Sequence, residues 1–359
     1  MSTRGDMLRL ARQRLGIRQG KAAEAVGVTQ PVLSRVENGL SEPDQTFLDN
    51  AARAYDVPQS FFDVKQSVYG PPVSVHPMLR SKANLSGLEL EMITAELNIR
   101  IFHLSKFMDA VDFSPSLTIP TLDIETYNNP AEIAGVLRAH WQIPSGPIKN
   151  LTALAEQAGI IVAFSDFGGA SVSGVTFRIP GKAPLILLNK SHPADRTRFT
   201  LAHELGHVVM HSFPNHDMEK QADAFAAAFL MPEYDIREAF RGRRVGLHLL
   251  ATLKPEWKVA MQALLYRANT LKIIDYNQNR YLWQTIAKNG WRKREPAETE
   301  FAHEETTVLP AIIKAQFSEL GYTLGELAKV SHMNETEFVK YYGDFDTPKP
   351  GRPRLRIVT

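Results

Sequence analysis

The chain has 359 residues with 41 basic and 39 acidic side chains, a formal charge of +2 and no cysteine, so two or three domains with cores of their own are expected. The missing cysteines exclude disulfides, thiolate nucleophiles, Cys-ligated zinc and iron–sulfur clusters, and leave His, Asp and Glu for any metal. The near-zero total gives no case for nucleic acid or membrane; with no apolar leader and no run of the ~20 apolar residues that span a bilayer, a cytoplasmic, nucleoid-associated protein without a membrane partner is expected.

Residues 1–64 read as a compact all-α domain punctuated at Gly16, Gly27, Gly39 and Pro58. Within it, residues 19–38 (QGKAAEAVGVTQPVLSRVEN) predict helix, tight turn, helix. Gly27 permits a left-handed backbone, Thr29 suits an N-cap and Pro31 suits a first turn. Ala22, Ala23, Val26, Val28, Val32, Leu33 and Val36 supply the apolar face. Gln30, Ser34, Arg35 and Asn38 are left outward, as major-groove readout requires; a plain helical hairpin is the alternative for this segment alone. Before residue 40, Arg4, Arg9, Arg12, Arg14, Arg18, Lys21 and Arg35 outweigh Asp6, Glu24 and Glu37, a locally basic surface for phosphates.

Residues 65–129 are expected to be linker and long connecting helix. Residues 65–81 are irregular around Gly70-Pro71-Pro72 and His76-Pro77, and Leu90, Ile93, Leu97, Ile101, Leu104 and Met108 then recur at helical spacing. Residues 130–290 alternate: a helix over 148–158, strands at 160–164, 172–179 and 184–188, strong helices over 195–211 and 217–230, and a helical pattern over 255–271. That predicts an α+β domain with a small sheet. Residues 291–359 read as a helical C-terminal region ending in a basic tail of Lys349, Arg352, Arg354 and Arg356. In it, residues 323–342 faintly repeat the register of residues 19–37, as a degenerate second helix-turn-helix or a plain hairpin. The predicted fold class is multi-domain and mainly α.

Residues 199–211 (FTLAHELGHVVMH) put His203 and His207 four apart on one helical face, with Glu204 beside them to handle a proton. Glu219 is a candidate third ligand, and Asp223, one helical turn later, a candidate acceptor for a ligand's ring N–H; a merely solvated face is the alternative for both. Three ligands leave one position for water. Because three residues in a straight helical row cannot converge on one tetrahedral ion with His203, His211 is read as a core or supporting residue. Tyr234, His192 and His216 are candidate oxyanion donors, and residues 172–179 a candidate edge for strand addition by an extended peptide.

Residues 8–16 (LRLARQRLG), with Gln19, Ala23, Gly27, Ser34, Glu37-Asn38-Gly39, Pro43, Ala51-Ala52 and Val57-Pro58, resemble the XRE, phage-repressor-type helix-turn-helix family across residues 4–62. The resemblance implies double-stranded operator DNA as partner, a homodimer, and DNA contacts from Gln19, Thr29, Gln30, Ser34, Arg35 and Asn38; Pro31 replaces a frequent polar base reader. Downstream, PLILLNKSHPADRTRFTLAHELGHVVMH followed by EKQADAFAAAFLMP resembles the ImmA/IrrE family of gluzincin-type metallo-endopeptidases across residues 144–271. That resemblance implies Zn²⁺, with Mn²⁺ as an alternative, a catalytic Glu204, and a protein substrate such as an XRE-type repressor or antitoxin-like partner in a stress, prophage or toxin–antitoxin circuit. Two further readings stay open: a regulator or antitoxin whose zinc domain senses without turnover, and a self-cleaving repressor cut within residues 65–81.

Overall fold

The computed structural model describes residues 3–71, 86–109, 111, 114–127, 129–167, 172–178, 183–213 and 215–343. The predictions that fall on residues 72–81, on Gly168-Gly169, on residue 179 and on the basic tail lie outside them. In chain order come α1 (Arg4–Arg14), α2 (Gln19–Val26), α3 (Gln30–Glu37), α4 (Gln45–Tyr55), a 3-10 turn at Gln59–Asp63 and α5 (Gly87–Met108). Next are α6 (Ile124–Tyr127), α7 (Pro130–His140), α8 (Leu151–Gln157), β1 (Ile161–Ser165), β2 (Gly174–Phe177) and β3 (Leu185–Asn189). The helices α9 (Ala194–Met210), α10 (Met218–Leu230), α11 (Glu233–Phe240), α12 (Leu247–Trp257), α13 (Met261–Thr270) and α14 (Tyr276–Lys288) follow. A 3-10 turn at Ala297–Thr299 precedes α15 (Val308–Ser318), α16 (Leu324–Val330) and α17 (Glu335–Tyr342). This mainly helical chain with one small sheet is the predicted class. The pattern over 255–271, however, splits in two: Pro255 lies inside α12, which ends where Lys258 turns to φ +52°.

The chain divides into two compact units. The first joins α1–α5 to α15–α17; the second holds residues 114–307. Composition alone treats α5 as a connector and residues 291–359 as one region, and the structure groups them otherwise. Ala95, Ile99 and Phe102 of α5 belong to one core with Leu8, Leu10, Tyr55, Phe61 and Phe62, because a helix with apolar side chains on so much of its surface must find partners on more than one side.

In the first unit, Thr3 and Asp6 form a capping box on α1, and Asp44 caps α4. Gly27 at φ +82° turns the chain from α2 to α3, and the Val28 N–H donates to Ala23 O at 2.9 Å. The faint repeat at residues 323–342 has the same backbone turn: His332 takes φ +53°, Met333 N–H donates to Ala328 O at 2.9 Å, and Asn334 is the N-cap of α17. Its second helix opens instead with Glu335 and Glu337, and Glu337 pairs with Arg14 of α1. Between α5 and α17 lies a buried polar cluster. Arg100 stacks on Tyr341 at 3.8 Å and binds Glu96 at 3.0 Å, and His103 Nδ1 is 2.9 Å from Tyr342 Oη.

In the second unit β1 pairs parallel with β3 (Ile161↔Leu185) and β2 antiparallel with β3 (Val175↔Leu187), in the order β1-β3-β2. That leaves β2 at an edge. Val162, Ile186 and Leu188 of the sheet share a core with Leu201, Leu205 and Val209 of α9 and with Phe225 and Phe229 of α10. Residues 291–307 form a polar strap on this unit. Glu295 binds Lys254 at 2.8 Å and the Met261 N–H at 2.9 Å, Glu304 pairs with Arg198, and the Thr307 N–H donates to Glu156 at 3.0 Å.

Burial, reinforced by the charges of Arg100, Arg14 and His332, holds His103 well below its ordinary 6.5. The unfolded chain therefore takes up that proton near pH 6.5 while the folded chain does not. Stability is full above 6.5 and is lost as pH falls, by at most about 1.4 kcal/mol per pH unit for this one group. Hydrogen exchange of α5 and α17 peptides between pH 7 and 5 is expected to show falling protection free energy, with a shallower slope in His103→Phe.

Candidate metal centre and nucleic-acid interface

Two helices build the first site. α9 carries His203, Glu204 and His207, and α10 carries Glu219, Gln221 and Asp223. They approach closely at Gly206, where an added Cβ would stand 3.0 Å from Phe225 Cδ1 and 3.4 Å from Ala222 Cα. Phe225 and Phe229 are fully buried and stack at 5.4 Å, as core side chains. Gly174 does the same for the sheet: a Cβ there would lie 2.5 Å from Thr200 Cγ2 and 3.4 Å from Glu204 Cγ, so β2 runs directly against Glu204. Thr176 on β2 donates to Glu204 O at 3.3 Å.

The hydrogen bonds determine which ring nitrogens are free. Asp223 accepts from His203 Nδ1 at 2.8 Å, leaving His203 Nε2 to face inward. His211 Nε2 lies 2.9 Å from Gln221 Oε1, which also accepts from Asn215 Nδ2 at 3.2 Å. A carbonyl oxygen only accepts, so His211 Nε2 carries the proton. Burial and the neighbouring His207 push His211 down to about 4, so it is neutral and its Nδ1 accepts. The partner 2.9 Å away, His207 Nδ1, must then donate. Both histidines thus donate through Nδ1 to partners beyond the cluster and turn Nε2 inward.

Those two Nε2 atoms stand 3.0 Å apart, with Glu219 Oε1 3.1 Å from His207 Nε2 and Glu219 Oε2 3.5 Å from His203 Nε2. Metal–ligand bonds of about 2.0–2.2 Å in a tetrahedron place ligand atoms roughly 3.3–3.6 Å apart, a few tenths of an ångström from the spacings here. The donor set therefore fits a divalent ion of zinc's size, and these three residues form the group able to hold one among the described residues. Burial opposes charge on His203, yet the bonds to Asp223 and Glu219 push it up to about 10; Glu219, against the upward push of burial, is held down to about 2 by His203 and His207. The two shifts are in part the same attraction between Glu219 and the imidazoles, seen from its two ends. Glu204 is 1% exposed, and its Oε2 is buried with no hydrogen-bond partner.

Of the candidate oxyanion donors, Tyr234 is exposed, His216 binds Asp217 at 3.3 Å, and His192 has a buried, unpartnered Nδ1. None is hydrogen-bonded to the His203, His207, Glu219 cluster among the described contacts. Gln221, Asn215, Gly174 and Thr176 escape the sequence reading. A glycine inside a strand is itself a signal of close backbone approach, whereas nothing in the sequence separates Gln221 from a solvated helix face.

On the helix-turn-helix, Thr29, Gln30 and Arg35 are exposed and Ser34 is half-buried. Thr29 sits at the N-cap without a side-chain capping bond, so its hydroxyl is free of that duty. Gln30 Nε2 donates to Gln19 Oε1 at 3.0 Å, and Gln19 Nε2 to Glu37 Oε2 at 2.9 Å. Asn38 is engaged within the fold: its Oδ1 accepts from Arg9 at 2.8 Å and its Nδ2 donates to Ser34 O at 2.8 Å. Val32 corrects the predicted apolar face. It is 43% exposed, because the buried stripe of α3 runs through Leu33, Val36 and Glu37.

Residues 155–269, which contain the whole donor cluster, match the family model of the IrrE N-terminal-like domain, and residues 8–60 match that of the helix-turn-helix. The chain joins an XRE-type helix-turn-helix domain to an IrrE/ImmA-type peptidase domain. No curated protein matches the chain. In the peptidase domain, Gly206→Val is expected to push α9 from α10 by driving a branched side chain into Phe225. Loss of bound metal by elemental analysis, with a lowered melting temperature, checks this. Asp223→Ala, which leaves that packing intact, is expected to weaken metal affinity by roughly 10–100-fold without a comparable loss of fold.

Proposed function

We propose that the protein is a DNA-binding transcriptional regulator whose peptidase domain is a zinc-dependent endopeptidase, with His203, His207 and Glu219 as metal ligands and Glu204 as the catalytic acid–base. The observation that carries the reading is the pair of inward Nε2 atoms 3.0 Å apart facing Glu219, with the unpartnered carboxylate oxygen of Glu204 buried on the same helix. Bound there, Zn²⁺ or Mn²⁺ supplies a positive charge that acidifies water and polarises a carbonyl. Glu204 takes a proton at its free Oε2 and returns one to the leaving amine. Asp223 and the His211–Gln221 pair keep both imidazoles in the ligating tautomer. The order β1-β3-β2 places β2 at an end of the sheet, a position that suits an extended peptide laid beside Glu204 by strand addition.

The substrate proposed from the family resemblance is an XRE-type repressor or antitoxin-like protein. The helix-turn-helix binds a palindromic operator as a homodimer, with Gln30 and Arg35 toward bases and Gln19, Thr29, Ser34 and Asn38 in support. Self-cleavage within residues 65–81 fits less well. A cut there leaves α1–α4 packed against α5, and α5 in turn against α17, so the DNA-binding helices stay non-covalently attached.

The deciding experiment incubates the metal-loaded chain with repressor-like proteins encoded beside it and follows the products by mass spectrometry. Glu204→Gln is expected to lose cleavage by at least ~10²-fold while keeping its metal and its operator shift. If wild type and Glu204→Gln give the same products, or none, while both shift operator DNA, the metal centre is a sensor.

A further inference from the structure

Where α11 passes into α12, in the second unit, lies a cavity of about 530 Å³. Arg237, Arg241, Arg243 and Arg244 line it against one acidic side chain, Glu238. In a chain with a formal charge of +2, four guanidiniums within eight residues of sequence make a concentrated positive field.

The loop is built to hold that charge in place. Gly242 at φ +68° makes the turn, Arg243 N–H donates to Phe240 O at 3.1 Å, and Gln278 of α14 donates to Val245 O at 2.8 Å, fastening the loop to the neighbouring helix. Two of the arginines are already neutralised: Arg237 by Glu233 at 2.8 Å, with a second bond to Leu271 O, and Arg241 by Glu238 at 3.2 Å. Arg243 and Arg244 are exposed and have no ion-pair or hydrogen-bond partner for their side chains among the described residues, and the one acid of the lining, Glu238, is engaged by Arg241. The rest of the lining is Gly242, Gln278 and an apolar part made of Phe240 and Val245, both buried, and the half-buried Ile273.

We propose that this cavity binds a small organic phosphate, with Arg243 and Arg244 gripping the phosphate and the wall of Phe240, Val245 and Ile273 taking the organic part. Guanidinium forks match the oxygens of phosphate in pairs, a geometry that lysine cannot supply. The volume lies within the roughly 300–1,000 Å³ of small-molecule sites and exceeds what a bare phosphate needs. A nucleic-acid backbone is met by basic stripes along a surface, whereas these arginines surround a recess with an apolar wall.

The test is isothermal titration calorimetry of the full metal-loaded chain with adenosine 5′-monophosphate and with inorganic phosphate. It compares wild type with the double variants Arg243→Glu, Arg244→Glu and Arg243→Lys, Arg244→Lys. The monophosphate is expected to bind more tightly than inorganic phosphate. The Glu variant should weaken it by roughly tenfold or more, the Lys variant by less, with the melting temperature and operator shift of both variants unchanged. Absence of binding by either probe, or an affinity untouched in the Glu variant, overturns the proposal. So does binding that depends on Arg243 and Arg244 but is confined to a non-operator DNA duplex or to a poly-glutamate peptide, each of which assigns the arginines to a macromolecule.

Discussion

Everything the peptidase domain offers chemically depends on how near α9 and α10 come to each other. Two histidines on one helix and a carboxylate on another share an ion only when the backbones almost touch. Gly206 removes the side chain that would keep them apart, and Phe225 and Ala222 occupy the space it leaves. The supporting contacts follow from the same approach: once Glu219 faces His203 and His207, the next turns of α10 bring Gln221 to His211 and Asp223 to His203. A single packing constraint thus places three donor residues and the partners that orient them. Gly174 adds the third side by letting β2 lie against Glu204.

In the first unit the corresponding centre is Glu37, whose carboxylate is buried. It accepts from Arg12 Nε at 2.6 Å, from Arg12 Nη2 at 2.9 Å and from Gln19. A buried ion pair adds little net stability over an apolar replacement. Its consequence here is directional: Glu37 holds Gln19, Gln19 holds Gln30, and the outward amide at the start of α3 is positioned by a chain of bonds rooted in the core.

The local elements were largely legible in the sequence. Apolar spacing located α9 and α10, the glycine and proline signals located the α2–α3 turn, and the His203, Glu204, His207 spacing located one half of the donor cluster. Less visible was whatever depends on a distant partner. Val32 looked apolar and inward until Leu33 and Val36 took the buried stripe. Gln221 gained its role only from His211 across the helix pair. The grouping of α15–α17 with α1–α5 arises from contacts between segments separated by the whole peptidase domain, which no local pattern encodes. The strap of residues 291–307 was hidden similarly, since Glu295 and Glu304 resemble surface acids until Lys254 and Arg198 are seen beneath them.

That discontinuous first unit bears on how the protein is made. The segment α15–α17, which completes the cluster around Arg100 and His103, is translated only after the peptidase domain. Domains generally fold as they emerge, so the core shared by α1–α5 can close before the peptidase is translated, whereas the Arg100 and His103 cluster closes only after it. A chain cut short before α15 therefore leaves Arg100, His103 and Arg14 without their partners on α17, and closure of that cluster also reports that the peptidase has been made.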